Sequence, residues 1–359
     1  MSRRRREKSS QEARILGTGN TVEQNIHLYL PGSDRFRPID WRRPPGGSRG
    51  VGQSFSMQEV AQVKRLIAAS VDWAEHAQNQ DGGLPTDSNG SESCTWSTAG
   101  LLWALYNAGL NTRSRWAKKA YIWLADELNE DGGMPTVRRG DQSTTDATAQ
   151  FLAAASFVND HDPRVSRAAS WLVDTQHRNG GWSWEKMGAK PHVASTAFAI
   201  IGVAMQLEAA DGADAVHAGL EWMASVQSPS GGWGLQDGGV LRVSASGLAA
   251  FALQLLPGTE DRREAAAEFL VQHTLSEGGW RYEIERAVSH TIVRLAVPYA
   301  LLGLCASPDE RHHRFAFTQL DQLTALHDGS SFVLPGTGTA SWPTRDGLLA
   351  CAAMFRIAS

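Results

Sequence analysis

Three arginines in the second half of the chain, Arg242, Arg294 and Arg345, could together bind an anion. A guanidinium group can contact a carboxylate or phosphate through two parallel hydrogen bonds, so several of them suit a diphosphate or a carboxylate ligand. Each arginine could equally pair with a nearby acid, and for Arg345 the next residue, Asp346, is such a partner. The arginines therefore predict either an anion site or ion pairs.

Aromatic residues form a second group that could bind a ligand. They are Trp96, Trp184, Tyr282 and Trp342, accompanied in neighbouring loops by His192 and His290. Aromatic walls attract carbocations through cation–π interactions and also suit sugars and isoprenoid tails. These residues predict a cavity that is largely apolar.

Carboxylates are the third group with possible chemistry. Asp146, Glu283, Glu285 and Asp346 could supply an acid and a base for carbohydrate hydrolysis or elimination. They lie far apart in the sequence, so their spacing does not select a pair.

A regular spacing shows which elements must position these residues. In six places a bulky residue precedes a glycine by nine positions. The pairs are Trp73 and Gly82, Trp123 and Gly132, Trp171 and Gly180, Trp222 and Gly231, Phe269 and Gly278, and Leu320 and Gly329. The glycines are 50, 48, 51, 47 and 51 residues apart, which is typical of an array of similar supersecondary units.

Each unit is predicted to contain two helices. Before the glycine, apolar residues recur every three or four positions, as in Val165, Ala168 and Leu172, which indicates an amphipathic outer helix. After it, stretches such as 148–155 are apolar or small on nearly every face, which indicates a buried inner helix. Six such pairs predict an all-α (α/α)6 toroid over residues 57–359, with the loops before the inner helices at one mouth.

The turn between the two helices is predicted to be structural. The Gly-Gly pair can adopt positive φ and end the outer helix. Gln176 and Gln227, five residues after a Trp, are suited to bond free backbone groups there, and Trp182, Trp233 and Trp280 can cover the turn.

Residues 1–56 differ from the rest in composition. They hold ten Arg and one Lys against five acids, and include Pro44-Pro45-Gly46-Gly47, whereas the whole chain has a net charge of −4. We expect a basic, partly irregular N-terminal arm that lies over the domain or is solvated. Nucleic-acid binding is a less favoured expectation for this arm.

Composition excludes several classes. The chain is 42% hydrophobic, and no stretch approaches the roughly 18 apolar residues of a transmembrane helix. The first residues do not resemble a secretory signal. Three cysteines are too few for a disulfide framework, so a cytoplasmic location is expected.

The combination of Trp-Leu or Phe-Leu, Gln and Gly-Gly-Trp resembles the QW repeat of squalene and terpene cyclases and of protein prenyltransferase β subunits, across residues 57–359. In the prenyltransferases the resemblance implies a zinc ion held by Asp, Cys and His. Ser289-His290-Thr291 resembles the repeat that carries the His, but 242–247 contains neither Asp nor Cys. A zinc prenyltransferase is therefore not expected, and His290 is interpreted as a cavity or packing residue.

The class II terpene cyclases imply a different chemistry, in which the middle Asp of an Asp-x-Asp-Asp-Thr-Ala motif protonates an alkene or epoxide. Residues 144–149, Thr-Thr-Asp-Ala-Thr-Ala, match this motif in part, with Asp146 as the middle acid. The hydroxyls of Thr144 and Thr145 could donate hydrogen bonds to its carboxylate. The alternative is a structural role, in which Asp146 caps the inner helix or serves in packing.

The sequence thus favours a terpenoid-cyclase-like toroid that acts on or binds an isoprenoid by protonation-initiated cyclisation. The expected partner is an isoprenoid or another hydrophobic small molecule, no cofactor is required, and Mg²⁺ would assist only a diphosphate substrate. Two alternatives remain open. One is a non-catalytic toroid that binds a lipid, peptide or protein partner; buried Arg–acid pairs that fill its centre would indicate this function. The other is a carbohydrate hydrolase or lyase.

Overall fold

The computed structural model describes residues 55–86, 92–158, 162–185, 190–206, 210–277, 279–280, 282–286, 291–334 and 340–359. Nearly all of the predicted N-terminal arm lies outside these ranges. Within them, six helical units follow one another along the chain, each consisting of an outer helix and an inner helix.

The outer helices have one buried face. Their bounds are α1 Met57–Ala77, α3 Arg115–Asp126, α5 Pro163–Asp174, α7 Ala210–Ser225, α9 Glu260–Glu277 and, as two short pieces, α11 Glu310–Thr318 and α12 Leu320–Thr324. In α5, for example, Val165, Ala168, Trp171 and Leu172 are buried while the opposite face is solvated. This is the amphipathic pattern that the three- and four-residue spacing predicts.

The inner helices are buried on almost every face. They are α2 Thr95–Asn107, α4 Thr145–Ala155, α6 Val193–Ala204, α8 Val243–Leu253, α10 Ala296–Cys305 and α13 Ser341–Ala358. Each packs on the inner helix of the next unit, and α13 packs on α2, which closes the ring. The (α/α)6 toroid predicted from the repeats is confirmed.

Small residues let the inner helices approach one another closely. A Cβ atom placed on Gly247 of α8 would collide with the backbone of Tyr299 in α10, and one placed on Gly303 would lie 2.7 Å from the Cα atom of Gly247. Side chains at these positions would force the helices apart.

The turn after α7 has the predicted structural role. Gly231 has a φ of +90°, a backbone conformation that side-chain-bearing residues rarely adopt. Gln227 donates from Nε2 to the carbonyl of Gly231 at 2.8 Å and to that of Arg262 in the next outer helix at 2.9 Å. Trp233 donates from Nε1 to the carbonyl of Met223 near the end of α7 at 2.8 Å. The glutamine and the tryptophan thus join the turn to two outer helices.

Where the chain is described, three short antiparallel hairpins precede inner helices, a detail that the helical pattern did not predict. They pair β1 Met134–Pro135 with β2 Ser143–Thr144, β3 Trp233–Gly234 with β4 Leu241–Arg242, and β5 Tyr282–Arg286 with β6 Thr291–Leu295. They lie at the mouth that holds the N-terminal ends of the inner helices.

A cyclic pattern of backbone caps also closes the ring. The first amides of the inner helices point at the loops of the following unit. They donate from Trp96 to Thr136, from Thr145 to Trp184, from Val193 to Leu235 and, across the closure, from Ser341 to Thr86. At these four inner helices, a loop of the following unit therefore satisfies one of the free N–H groups at the helix start. No helix in the described part of the chain is long and apolar enough to cross a membrane.

Candidate active site at the toroid mouth

A cavity of about 560 Å³ opens at the mouth of the ring. Its walls come from the loops and inner-helix starts of several units, and its apolar lining consists of Trp96, Trp184, Trp342, Val137 and Val293. Its polar lining consists of Thr86, Thr136, Thr144, Gln142, Asp141 and Glu185. The volume lies within the range of about 300–1,000 Å³ that is usual for small-molecule sites.

Four residues proposed from the sequence meet in this cavity: Trp96, Trp184, Trp342 and Thr144. The first three are half-buried and belong to three different units, so the ring brings together aromatic side chains that are far apart in the sequence.

Beneath the cavity lies a cluster of charged and polar side chains that is closed to solvent. Arg345 donates from Nε to Oδ1 of Asp346 at 2.7 Å, and its Nη2 lies at the same distance from that oxygen. Oη of Tyr299 donates to the same carboxylate at 2.9 Å and accepts from Nη2 of Arg345 at 3.3 Å. All three residues are at most 2% exposed. Arg345 therefore pairs with its neighbouring acid, as the alternative interpretation held.

Arg294 and Asp146 extend this cluster towards α4. Nη1 of Arg294 lies 3.5 Å from Oη of Tyr299, and Nη2 lies 4.0 Å from Oδ2 of Asp146. Asp146 is fully buried in the first turn of α4, and Arg294 is 3% exposed. The guanidinium groups of Arg345 and Arg294 thus both face aspartate side chains of this cluster, which leaves little capacity to bind a diphosphate.

Trp96 connects the cavity to the cluster. Its ring lines the cavity, and Cζ of Arg345 lies 4.6 Å from the ring centroid, within the range of a cation–π contact. The cavity lining reaches Thr144, two residues before Asp146, but does not include Asp146 itself.

Several buried polar atoms around the cluster have no hydrogen-bond partner among the described residues. They are Nε1 of Trp96, Nε2 of Gln150 and Oδ2 of Asp346. Such atoms are rare in native proteins, and they are available to a bound molecule or to water.

The electrostatics of the cluster reflect its burial. Burial raises the pKa of the Asp346 carboxyl above its ordinary value, although the Arg345 guanidinium opposes this rise. Burial also raises the pKa of Tyr299 to about 12, so its hydroxyl stays protonated and can donate. Desolvation alone would lower the pKa of Arg345, but the carboxylate of Asp346 outweighs it, and the net shift is upward.

The hydroxyls expected to support Asp146 bond elsewhere. Oγ1 of Thr144 lies 3.1 Å from Oγ1 of Thr136, and Oγ1 of Thr145 donates to the carbonyl of Ser183 at 2.7 Å. The prediction that they donate to Asp146 is wrong, because the Thr144 hydroxyl bonds within its own hairpin and the Thr145 hydroxyl bonds the next unit.

The capping alternative for Asp146 is also wrong. The N-cap residue of α4 is Thr144, whose side chain makes no cap hydrogen bond, and Asp146 follows two positions later. Oγ1 of Thr148 accepts from the amide of Met134 at 2.8 Å and donates to the carbonyl of Thr144 at 2.7 Å. Thr148 therefore ties α4 to the hairpin that precedes it. Asp146 faces Arg294 of another unit.

Two other proposed residues lie at the starts of inner helices. His192 is buried at the N-cap of α6, and Arg242 is half-buried at the N-cap of α8. Neither is among the described residues that line the cavity. Only the backbone of Tyr282 is described, and His290 lies outside the described residues.

Glu283, a candidate for carbohydrate chemistry, serves as a helix cap. Its carboxylate accepts from the amides of Val243 and Ser244, at 2.8 and 3.0 Å, and from the Ser244 hydroxyl. It therefore takes at α8 the place of the carbonyl that caps α2, α4, α6 and α13. With Asp346 bound to Arg345, two of the four carboxylates considered for that chemistry are already engaged.

Sequence reasoning missed Tyr299 and Gln150. Gln150 carried a signal, because it is a polar residue in an apolar helix four positions after Asp146 and so lies on the same face. Oε1 of Gln150 lies 3.4 Å from Nη1 of Arg345. Within the described ranges, no group of three or more His, Cys, Asp or Glu side chains could hold a metal ion.

Comparison with known proteins confirms the resemblance to squalene and terpene cyclases. Residues 136–288, which include Asp146, match the family model of the squalene-hopene cyclase C-terminal domain. Enfumafungin synthase of Hormonema carpetanum is 32% identical over 91 residues, a match covering 21% of this chain. It spans only 7% of the synthase's length.

Solved structures share the fold at low sequence identity. The type II terpene cyclase MstE from Scytonema, in complex with its product merosterolic acid A, is similar with a TM-score of 0.60 and 13% identity. The match covers 85% of this chain and 99% of that one. A glycosidase is similar with a TM-score of 0.57 and 14% identity, over 85% of this chain and 98% of that one. These structures establish the toroid, and the activity has to be argued from this chain's own residues.

Proposed function

We propose that the protein binds an isoprenoid in the mouth cavity and cyclises it by proton transfer from Asp146. The observation that carries this proposal is the position of the tryptophan-lined cavity, which reaches the start of α4. This helix bears the fully buried Asp146 in its first turn. Three indole rings offer an apolar wall for the chain and negative ring faces for a developing carbocation.

Asp146 has the surroundings that a proton donor needs after the transfer. Arg294, 4.0 Å away, stabilises the carboxylate that remains. Burial keeps bulk water from this acid, so the cation formed beside it is not lost to hydration. An alkene reaches Asp146 only if Trp96 or the Thr144 turn moves, since Asp146 does not line the cavity.

The comparisons support the substrate class. The matched family model spans the segment that holds Asp146 and Trp184. MstE has also been solved with the substrate geranylgeranyl dihydroxybenzoate, so a toroid of this shape accommodates a C20 chain on an aryl group.

The test is product analysis by gas chromatography and mass spectrometry after incubation with squalene, geranylgeraniol, geranylgeranyl diphosphate and geranylgeranyl dihydroxybenzoate. We expect a cyclised product from the wild type and at least about a 100-fold loss of rate in Asp146→Asn, which is nearly isosteric but cannot supply the proton. Asp237→Asn, at an exposed position in the loop between β3 and β4, is the matched control and should retain activity. Equal activity in Asp146→Asn and wild type would remove Asp146 as the acid.

A second candidate is a toroid that binds its ligand without turning it over. The observation that favours it is the closed Arg345–Asp346–Tyr299 cluster, since buried Arg–acid pairs occupy the position where a catalytic cavity would extend. Binding of an isoprenoid to the folded wild type, with none of the four substrates converted, would select this function.

A further inference from the structure

The charged side chains that line the mouth cavity are both acidic. Asp141 is exposed and Glu185 is half-buried. Neither carboxylate makes a hydrogen bond or an ion pair with another described residue, and no described Lys or Arg lines the cavity. Among the described residues, the lining therefore carries two negative charges and no positive one, and these charges repel an anionic head group.

Three arginines near the mouth are held by acids or by Tyr299. Arg138 pairs with Asp81 at 3.2 Å and with Glu127 at 3.1 Å. Arg345 is bound to Asp346, and Arg294 lies between Tyr299 and Asp146. The first amides of α2, α4, α6 and α13 are used by the carbonyls of neighbouring units. A phosphate at the mouth would lose its hydration without gaining these donors.

The aromatic lining has the opposite preference. Trp96, Trp184 and Trp342 all line the same cavity, and indole is the side chain that binds cations best through its ring face. Aromatic rings together with a carboxylate are the composition that recognises organic ammonium groups, because the rings accept a poorly hydrated cation and the acid supplies its counter-charge.

We propose that the mouth cavity selects an organic cation, namely a protonated or quaternary amine carried on an apolar chain. The tail lies against the tryptophans and the two valines, and the ammonium group faces Glu185 and Asp141. The inference rests on the proposed function only in using the same cavity, and it assigns the head group of the ligand.

The test compares three ligands with the same tail: octyltrimethylammonium, 1-octanol and octyl phosphate. Each is titrated into the full chain while tryptophan fluorescence is followed, with calorimetry as a second readout. We expect octyltrimethylammonium to bind about tenfold more tightly than 1-octanol, and octyl phosphate to bind most weakly. Octyl phosphate binding as tightly as the ammonium ligand, or no binding of the ammonium ligand, would overturn the proposal.

Glu185→Gln assigns the effect to the cavity. Because the Glu185 carboxylate has no partner among the described residues, the variant should fold as the wild type does, which circular dichroism checks. It should bind octyltrimethylammonium about fivefold more weakly and 1-octanol unchanged. Glu75→Gln, an exposed acid on α1, should change neither affinity. An unchanged ammonium affinity in Glu185→Gln would contradict the proposed site.

The outcome is separable from that of the proposed function. Cyclisation of geranylgeranyl diphosphate together with tight binding of octyl phosphate would overturn the selection of cations and leave the cyclase proposal standing. Selective binding of the ammonium ligand without any cyclised product would support the selection of cations and contradict the cyclase proposal.

Discussion

Removing Arg345 should expose the energetic role of the buried cluster. In Arg345→Met the side-chain volume is largely kept, but the carboxyl of Asp346 loses the guanidinium that lies 2.7 Å away and retains only the donor from Tyr299. Breaking a buried ion pair by removing one partner costs about 3–5 kcal/mol, because a buried charge is left unpaired. For a fold of this size that corresponds to a fall in Tm of about 5–8 °C.

The penalty should also depend on pH. Burial raises the pKa of Asp346, and Arg345 opposes this rise. Without the guanidinium group, the pKa of Asp346 in Arg345→Met should therefore lie further above its ordinary value. A group whose folded pKa lies above its unfolded value of about 3.9 stabilises the fold at low pH, and this contribution is lost as the pH rises through the folded pKa. The deficit of Arg345→Met should therefore be smaller at pH 5 than at pH 8.

Thermal and urea unfolding at both pH values are the assays. Arg311→Met is the matched control, because its partner Asp309 is at a similar distance but the arginine is 75% exposed, and such pairs contribute less than about 1 kcal/mol. Adding Asp346→Asn to Arg345→Met removes the unpaired charge and should restore about 2 kcal/mol. A Tm within 1 °C of the wild type, or a deficit that is larger at pH 5 than at pH 8, would refute the reasoning.

Two further predictions concern the ring itself. Gly231→Ala should destabilise the protein by more than about 3 kcal/mol, because the new Cβ would collide with the carbonyl oxygen of Ala265. Gly238 is also at positive φ but has open space around it, so Gly238→Ala should cost only about 1–2 kcal/mol. Equal losses in urea unfolding would contradict the role of close packing. Glu283→Gln should lower the free energy of unfolding by about 1–2 kcal/mol, because it weakens the cap of α8. The control Glu130→Gln, at an exposed position, should change stability by less than about 0.5 kcal/mol. An unaltered Tm in Glu283→Gln would show that the cap is dispensable.

The aromatic part of the site could be predicted from its position in the repeat. Trp96, Trp184 and Trp342 all follow the glycine turn, and in a closed ring such positions converge at one mouth. Thr144 could be placed in the same way. The two acids of the lining, Asp141 and Glu185, were visible as loop residues, but nothing in their spacing showed that they share a cavity without a basic partner.

The sequence by itself determined the ring. The spacing of apolar residues distinguishes outer from inner helices, and the glycine at each turn marks where the outer helix ends. Both signals act over a few residues at a time. The six repetitions of about 50 residues then give the number of units. Only the tertiary structure decided which charges pair. Arg345 binds Asp346, Arg294 faces Asp146 and Glu283 caps α8, although each could have served an anion site or an acid–base pair. These pairings depend on which side chains the fold brings together from units that are far apart in the chain. A buried charge needs a partner of opposite charge or a hydrogen bond, and only the folded ring determines which group is near enough.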